Sequence, residues 1–277
     1  MRVDSDFAGR QILGQRDEQQ DAYGFSIVLA GEKEHEAQTL LITVADGMGG
    51  YEGGREASAE ALRGFVEGYF RYLDGLKASA KAPDGTNGDR DESSFSNSAL
   101  AAALGVANGA LDNLIEENPE KLEEAGTTLL GVVVSRAQVA WISVGDSPLL
   151  LWRKGEIRRL NADHSMRAIL AQKIAAHQML PGDLATHPER NVLRSALLGG
   201  EIEDVDSPEK PTPLQAGDIL LAATDGLLTL GSDELASTVG RFRNKPALII
   251  AQRLVKAVES KRALKQDNAT VAVVKIR

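Results

Sequence analysis

The chain has 277 residues, 31 basic and 40 acidic side chains, a formal net charge of −9 and no cysteine. Lack of thiols excludes disulfides, thiolate metal sites, iron–sulfur clusters and every cysteine nucleophile. The acidic balance argues against nucleic acid or an anionic membrane as partner. With 43% hydrophobic residues, the chain can bury a sizeable core as one large domain or two modest ones; a single domain, 1–277, is expected. Its first residues lack the basic and apolar regions of a signal peptide, and no apolar run approaches the roughly 18 residues of a membrane span. The expectation is a cytoplasmic monomer with no membrane segment.

In chain order, residues 11–14 and 22–30 read as strands, the second alternating through Tyr23, Phe25, Ile27 and Leu29. Residues 31–38 form a charged hairpin loop. Residues 40–45, LLITVA, are short, uninterrupted and β-branched, the pattern of a buried strand. That strand ends on Asp46 and enters a turn carrying Gly47, Gly49, Gly50, Gly53 and Gly54. Glycine permits positive φ and close approach to the main chain, so a carboxylate is held at a rigid strand end beside open backbone.

A helix is expected from Glu56, with Leu62, Phe65, Val66, Tyr69, Leu73 and Leu76 at helical spacing. Residues 77–96 are polar and read as a flexible surface loop. A second amphipathic helix follows through Leu100, Leu104, Ala107, Leu111 and Leu114. Strands at 127–135, 139–144, 149–153 and 157–160 succeed one another without intervening helices, which requires antiparallel pairing. Residues 162–200 are helical or irregular. Further strands are expected at 202–205 and 219–224, helices from Ser232 and over 246–260, and a last strand at 269–276. Helix pairs inserted among antiparallel strands indicate an α+β layered domain.

Five acids fall where strands meet turns: Asp21, Asp46, Asp146, Asp225 and Asp267. Asp is an ordinary turn residue, but five such positions suggest one shared cleft. Converging carboxylates repel, and a divalent cation is the simplest neutraliser. Oxygen ligands without cysteine favour Mg²⁺ or Mn²⁺. Two such ions about 4 Å apart can activate a bridging water for in-line attack on phosphorus. Arg16 offers a planar fork for phosphate oxygens.

These residues carry a family resemblance. Arg16-Asp17-Glu18-Gln19-Gln20-Asp21 is similar to an R-x-x-N-Q-D element, and Asp46-Gly47-Met48-Gly49-Gly50 is a D-G-M-G-G element. Gly126-Thr127-Thr128-Leu129, Gly145-Asp146-Ser147, Asp163-His164-Ser165, Thr224-Asp225-Gly226-Leu227 and Asp267-Asn268-Ala269-Thr270-Val271 follow in order. The set resembles the metal-dependent serine/threonine protein phosphatases of type 2C in their bacterial form.

The resemblance implies a four-layer αββα sandwich: two antiparallel sheets packed face to face and flanked by helix pairs. It implies hydrolysis of phosphoserine and phosphothreonine in protein substrates, opposing a serine/threonine kinase. The metal set it implies is two Mn²⁺ or Mg²⁺ ions. Asp46 bridges them, the Gly47 carbonyl completes one sphere, and Asp225 and Asp267 hold the other ion. Asp21 binds or orients metal-bound water, Arg16 grips the phosphate, and Asp146 with Asp225 forms a third site. Residues 166–200 take the place of a variable flap.

Three departures stand out: Gln19 for Asn, Pro148 for an Arg, and Met48 where animal relatives carry a histidine. His164 is expected to be a buried structural histidine. A dinucleotide fold fails because the third glycine position is Glu52, and no Gly-Lys-Ser/Thr supports a P-loop. An esterase reading of Gly145-Asp146-Ser147 lacks its late Asp-x-x-His. The rival from another class is a catalytically inactive regulatory domain that keeps the fold.

Overall fold

The computed structural model describes residues 5–29, 38–49, 53–80 and 92–277. Eleven strands are β1 (Phe7–Ile12), β2 (Asp21–Leu29), β3 (Gln38–Met48), β4 (Gly126–Thr127), β5 (Leu129–Ser135), β6 (Gln138–Val144), β7 (Leu149–Arg153), β8 (Glu156–Arg159), β9 (Thr212–Pro213), β10 (Ile219–Ala223) and β11 (Ala269–Lys275) among the described residues. The helices are α1 (Gly53–Ala80), α2 (Glu92–Glu117), α3 (Pro119–Leu122), α4 (Met166–Ala175), α5 (Pro181–Thr186), α6 (Ser232–Phe242) and α7 (Ala247–Lys261), with a 3₁₀ turn at Asp225–Thr229.

The strands build two antiparallel sheets. One runs β1-β11-β10-β7-β8; the other runs β2-β3-β5-β6-β9, with β4 beside the end of β3. Alternation along the central strands divides each between two apolar layers. In β3, Leu40, Ile42 and Val44 face the other sheet, packing with Leu149, Leu151, Leu220, Ala272 and Val274. Leu41 and Ala45 point outward, onto Ala57, Ala61 and Phe65 of α1 and Leu100, Ala103 and Leu111 of α2. The other sheet sends Leu221, Val271 and Val273 onto Leu235 and Val239 of α6 and Ile250, Leu254 and Val258 of α7. Three apolar layers between four tiers make the αββα sandwich expected from the motifs. Uninterrupted apolar strands follow from burial on both faces.

Four expectations need correction. The first strand is Phe7–Ile12, paired with β11 from Phe7↔Val274 to Ile12↔Ala269; residues 13–14 belong to the turn after it, where Gly14 takes φ +67°. Residues 202–205 are not a strand: only the Ser143↔Asp206 bridge forms there, and Thr212–Pro213 supplies the edge strand. Helices claim both ends of the expected loop at 77–96, since α1 reaches Ala80 and α2 starts at Glu92; the rest of that loop, like residues 31–37 of the expected hairpin, lies outside the described residues. Finally, Asn97–Glu117 is long and apolar enough by composition to cross a membrane. Its Leu100, Ala103, Leu104, Ala107 and Leu111 are buried against α1 and the sheet, which accounts for that composition.

The outer layer leaves no slack at Gly131. A Cβ there would lie 2.2 Å from the Phe65 ring, itself fully buried. Gly131→Ala is expected to cost about 1–3 kcal/mol by overpacking, read as a lower urea midpoint with unchanged slope. An unchanged midpoint would mean that Phe65 has room to move.

Candidate metal centre and cleft

One end of the sandwich gathers the five acids. Asp21 opens β2 directly opposite Asp46 of β3. Asp146 sits between β6 and β7, Asp225 follows β10, and Asp267 precedes β11. They surround a cleft of about 720 Å³ whose lining includes Arg16, Asp46, Gly47, Asp146, Asp225 and Asp267. Asp21 lies behind this lining, 6% exposed.

Gly47 belongs where its own carbonyl and its neighbour's carboxylate must reach the cleft. A Cβ there would fall 2.0 Å from the Gly54 carbonyl oxygen, so only glycine lets the turn close on the start of α1. The Gly47 amide donates to the Gln20 carbonyl at 3.1 Å. Asp46 is held by its main chain: its N–H donates to Thr128 Oγ1 at 3.0 Å, and its carbonyl accepts from the Thr128 N–H at 2.9 Å. Thr128 Oγ1 also lies 2.7 Å from Ser147 Oγ, tying the Asp46 strand to the Asp146 loop.

Asp21 is fixed from the opposite sheet. Thr224 and Thr270 hydroxyls both donate to its Oδ2, at 2.8 and 2.6 Å. The Thr270 N–H donates to Thr224 Oγ1 at 2.9 Å, which turns the Thr224 proton toward Asp21. Asp21 Oδ1 is buried without a partner. A buried acceptor left open in this way calls for a donor or a cation.

Electrostatics agree. Burial first, and then neighbouring carboxylates, push Asp46 well above the ordinary carboxylate value, with Asp21 its largest charged neighbour. Asp21 is pushed up to about 7, mainly by burial and against the two threonine hydrogen bonds. Asp146 is also raised to about 7 by burial and Asp225, and Asp225 is raised by burial and Asp267. No three carboxylate or imidazole groups among the described residues are already drawn into one coordination shell, as expected of like charges in a low-dielectric cleft. The donor set is nonetheless all oxygen, anionic and partly orphaned, which suits a hard divalent cation.

Arg16 is placed differently from expectation. Its guanidinium donates to Asp267 Oδ2 at 2.6 Å, so it reaches the cleft rim while holding one of the acids. Asp267 Oδ1 accepts from the Asn268 N–H. Gln19 fits its unusual position: its amide donates to the Ile12 carbonyl at 3.1 Å and accepts from the Asp21 N–H at 3.0 Å. His164 is 5% exposed, and its Nδ1 accepts from the Gly145 N–H at 3.2 Å. With burial lowering its pKa, it is the neutral structural group expected. Residues 191–198 form one wall, bonded to His164 through the Arg194 N–H and to Thr127 through a reciprocal pair with Leu197.

The sequence reading missed the residues that hold the acids: Thr128, Ser147, Thr224, Thr270 and Arg159, whose Nη2 donates to the Asp146 carbonyl at 2.8 Å. Four of them lie inside the quoted motifs; Ser147, Thr224 and Thr270 stand one or three residues from Asp146, Asp225 and Asp267, which was the available signal, whereas Thr128 has no Asp near it in sequence.

Residues 8–267 match the family described as Protein phosphatase 2C. The chain belongs to the protein phosphatase 2C family. Among its relatives is the serine/threonine protein phosphatase PstP of Mycobacterium tuberculosis, 29% identical over 198 residues, covering 72% of this chain and 34% of PstP. The match thus spans about a third of that relative's length. Protein phosphatase PhpP of Streptococcus pneumoniae is 27% identical over 239 residues, covering 86% of each. Among solved structures, the serine/threonine phosphatase of S. agalactiae superposes with a TM-score of 0.73 at 24% identity, covering 98% of this chain and 99% of its own. The PstP catalytic domain in complex with two manganese ions gives 0.67 at 22%, with 98% of both covered. At these identities the superpositions speak for the 2C fold.

Proposed function

We propose that this phosphatase 2C chain is a metal-dependent phosphoprotein phosphatase that releases phosphate from phosphoserine and phosphothreonine. The observation that carries the reading is the convergence of Asp21, Asp46, Asp146, Asp225 and Asp267 on one cleft, with the Asp21 Oδ1 left open. Asp46, the Gly47 carbonyl, Asp225 and Asp267 would hold two Mn²⁺ or Mg²⁺ ions, and Asp146 with Asp225 a third. When bound, such ions neutralise the acids, polarise the phosphoryl group and lower the pKa of water.

The chain's own part is placement. Thr128 fixes the Asp46 main chain, and the Thr224–Thr270 pair leaves Asp21 one free oxygen to orient the water. Arg16, at the rim, can exchange its hydrogen bond to Asp267 for a fork onto the phosphate. Phosphorylated proteins are the substrates in this reading, a serine/threonine kinase the opposing activity, and the cytoplasm the compartment.

The test is hydrolysis of p-nitrophenyl phosphate and a phosphothreonine peptide with Mn²⁺, with and without EDTA. Turnover that EDTA abolishes is expected. Metal binding without turnover would favour the inactive regulatory reading instead. In the same assay Arg16→Ala is expected to raise KM about tenfold with a smaller change in kcat, the mark of lost ground-state binding. A fall in kcat at constant KM would overturn the role given to Arg16.

A further inference from the structure

The α6–α7 face, on the outside of the sandwich, carries a second concavity of about 430 Å³, lined by Ser237, Thr238, Arg241, Phe242, Arg253 and Lys256. Ser237 and Arg241 stand one turn apart on α6, and Arg253 and Lys256 one turn apart on α7, so both helices present their cations to the same groove. The guanidinium carbons of Arg241 and Arg253 sit 5.6 and 5.1 Å from the centre of the same Phe242 ring. Among the described residues, neither arginine nor Lys256 forms an ion pair; Glu234, on α6, is taken by Lys261 at 2.6 Å. Three unpaired cations thus share one groove in a chain with an excess of nine acids. The ring faces offset only part of their mutual repulsion, and Arg253 and Lys256 lie inside α7, away from the carbonyls at its end that would attract them.

We propose that this groove binds a phosphoryl group on a protein segment, separately from the cleft. It rests on the function proposed above, which makes phosphorylated proteins the molecules this chain meets. Two planar forks beside an ammonium match the three oxygens of a phosphate monoester, and Ser237 and Thr238 add hydroxyl donors. A lipid surface is disfavoured by the concave shape. It is also disfavoured because the groove's Phe242 is half-buried under the two arginines, and none of the exposed large hydrophobic residues among those described belongs to α6 or α7. A nucleic-acid track would need a longer basic stripe than three side chains. The ligand is therefore a second phosphorylated residue on the substrate.

The test uses a fluorescein-labelled peptide carrying two phosphothreonines, and its unphosphorylated twin. Anisotropy is measured in EDTA against the wild-type chain and the R241Q/R253Q/K256Q variant. The wild type is expected to bind the phosphopeptide at least about tenfold tighter than the twin, and the variant to bring the two within about twofold, as charge-assisted contacts are lost. Inorganic phosphate should compete in the wild type only. Lys256→Glu alone, which leaves the Phe242 stack in place, is expected to weaken phosphopeptide binding at least about threefold. Hydrolysis of p-nitrophenyl phosphate with Mn²⁺ should be the same in all three proteins. Phosphopeptide preference that survives the triple variant overturns the proposal. So does binding to phosphatidylserine vesicles, in place of the peptide, that the variant loses. Absence of hydrolysis in every protein would overturn the catalytic reading, and the anisotropy would still decide the groove.

Discussion

Asp46→Asn is expected to lower Mn²⁺-supported hydrolysis of p-nitrophenyl phosphate by about three orders of magnitude or more, while raising the melting temperature of the EDTA-treated chain at pH 8. The two effects have one cause. The Asp46 carboxylate lies among Asp21, Asp225, Asp146 and Asp267, and burial already drives it toward its neutral form. An amide keeps the shape and removes the charge. It also spares the main-chain bonds to Thr128, so the strand end should stay in place. Gain in stability beside loss of activity is the pattern expected where function maintains an unfavourable arrangement. Near-normal turnover in the variant would remove Asp46 from the metal centre. A lower melting temperature with lost turnover would mean that it holds the fold instead.

The second large effect is on stability against pH. Asp21 and Asp146 take their protons at about 7 in the folded chain, against an ordinary value of 3.8, and Asp46 and Asp225 shift the same way. Between pH ~4 and ~7 the folded chain therefore binds more protons than the unfolded one, and stability falls as pH rises through that window. In EDTA the melting temperature is expected to drop by about 5 °C or more between pH 5.5 and 8. Saturating Mn²⁺ should restore it, by about 2.7 kcal/mol for a site filled to one hundred times its Kd, with more rescue at pH 8 than at pH 5.5. A flat profile in EDTA would show that water or backbone donors already satisfy these carboxylates. Asp46→Asn should flatten part of the profile, which links the two predictions.

Much of the architecture could be read in advance because its strands are of the most legible kind. Residues 40–45, 219–223 and 269–274 are apolar except for the buried Thr43 and Thr270, since each run is buried on both faces. The acids stand out because they sit at the ends of strands, Asp46 and Asp225 just after such runs and Asp267 just before one. The first strand was displaced because its inward residues, Phe7 and Ala8, precede a stretch whose pairing depends on a partner more than 250 residues away. Residues 202–205 carry two β-branched apolar residues but meet β6 only at the Ser143↔Asp206 bridge just beyond them. No spacing rule could show that Arg16 would settle on Asp267, because the contact spans 251 positions. The α6–α7 cations were hidden by the opposite sign of the whole chain. The three-residue interval between Arg253 and Lys256 becomes informative only once α6, with Arg241, is known to be the neighbour of α7.

The bonds from Thr224 and Thr270 to Asp21 join residues 203 and 249 positions apart, and β1 has β11 as its sheet neighbour. Synthesis therefore releases the first strand long before its mate exists. A ribosome-bound chain can close the β2-β3-β5-β6 sheet early, yet Asp21 and Asp46 stay unmatched until β11 slides between β1 and β10. High sequence separation makes that closure slow. In the function proposed above, catalytic competence is thus a late event in the life of each molecule, and a chain stalled before residue 267 is expected to be silent rather than weakly active.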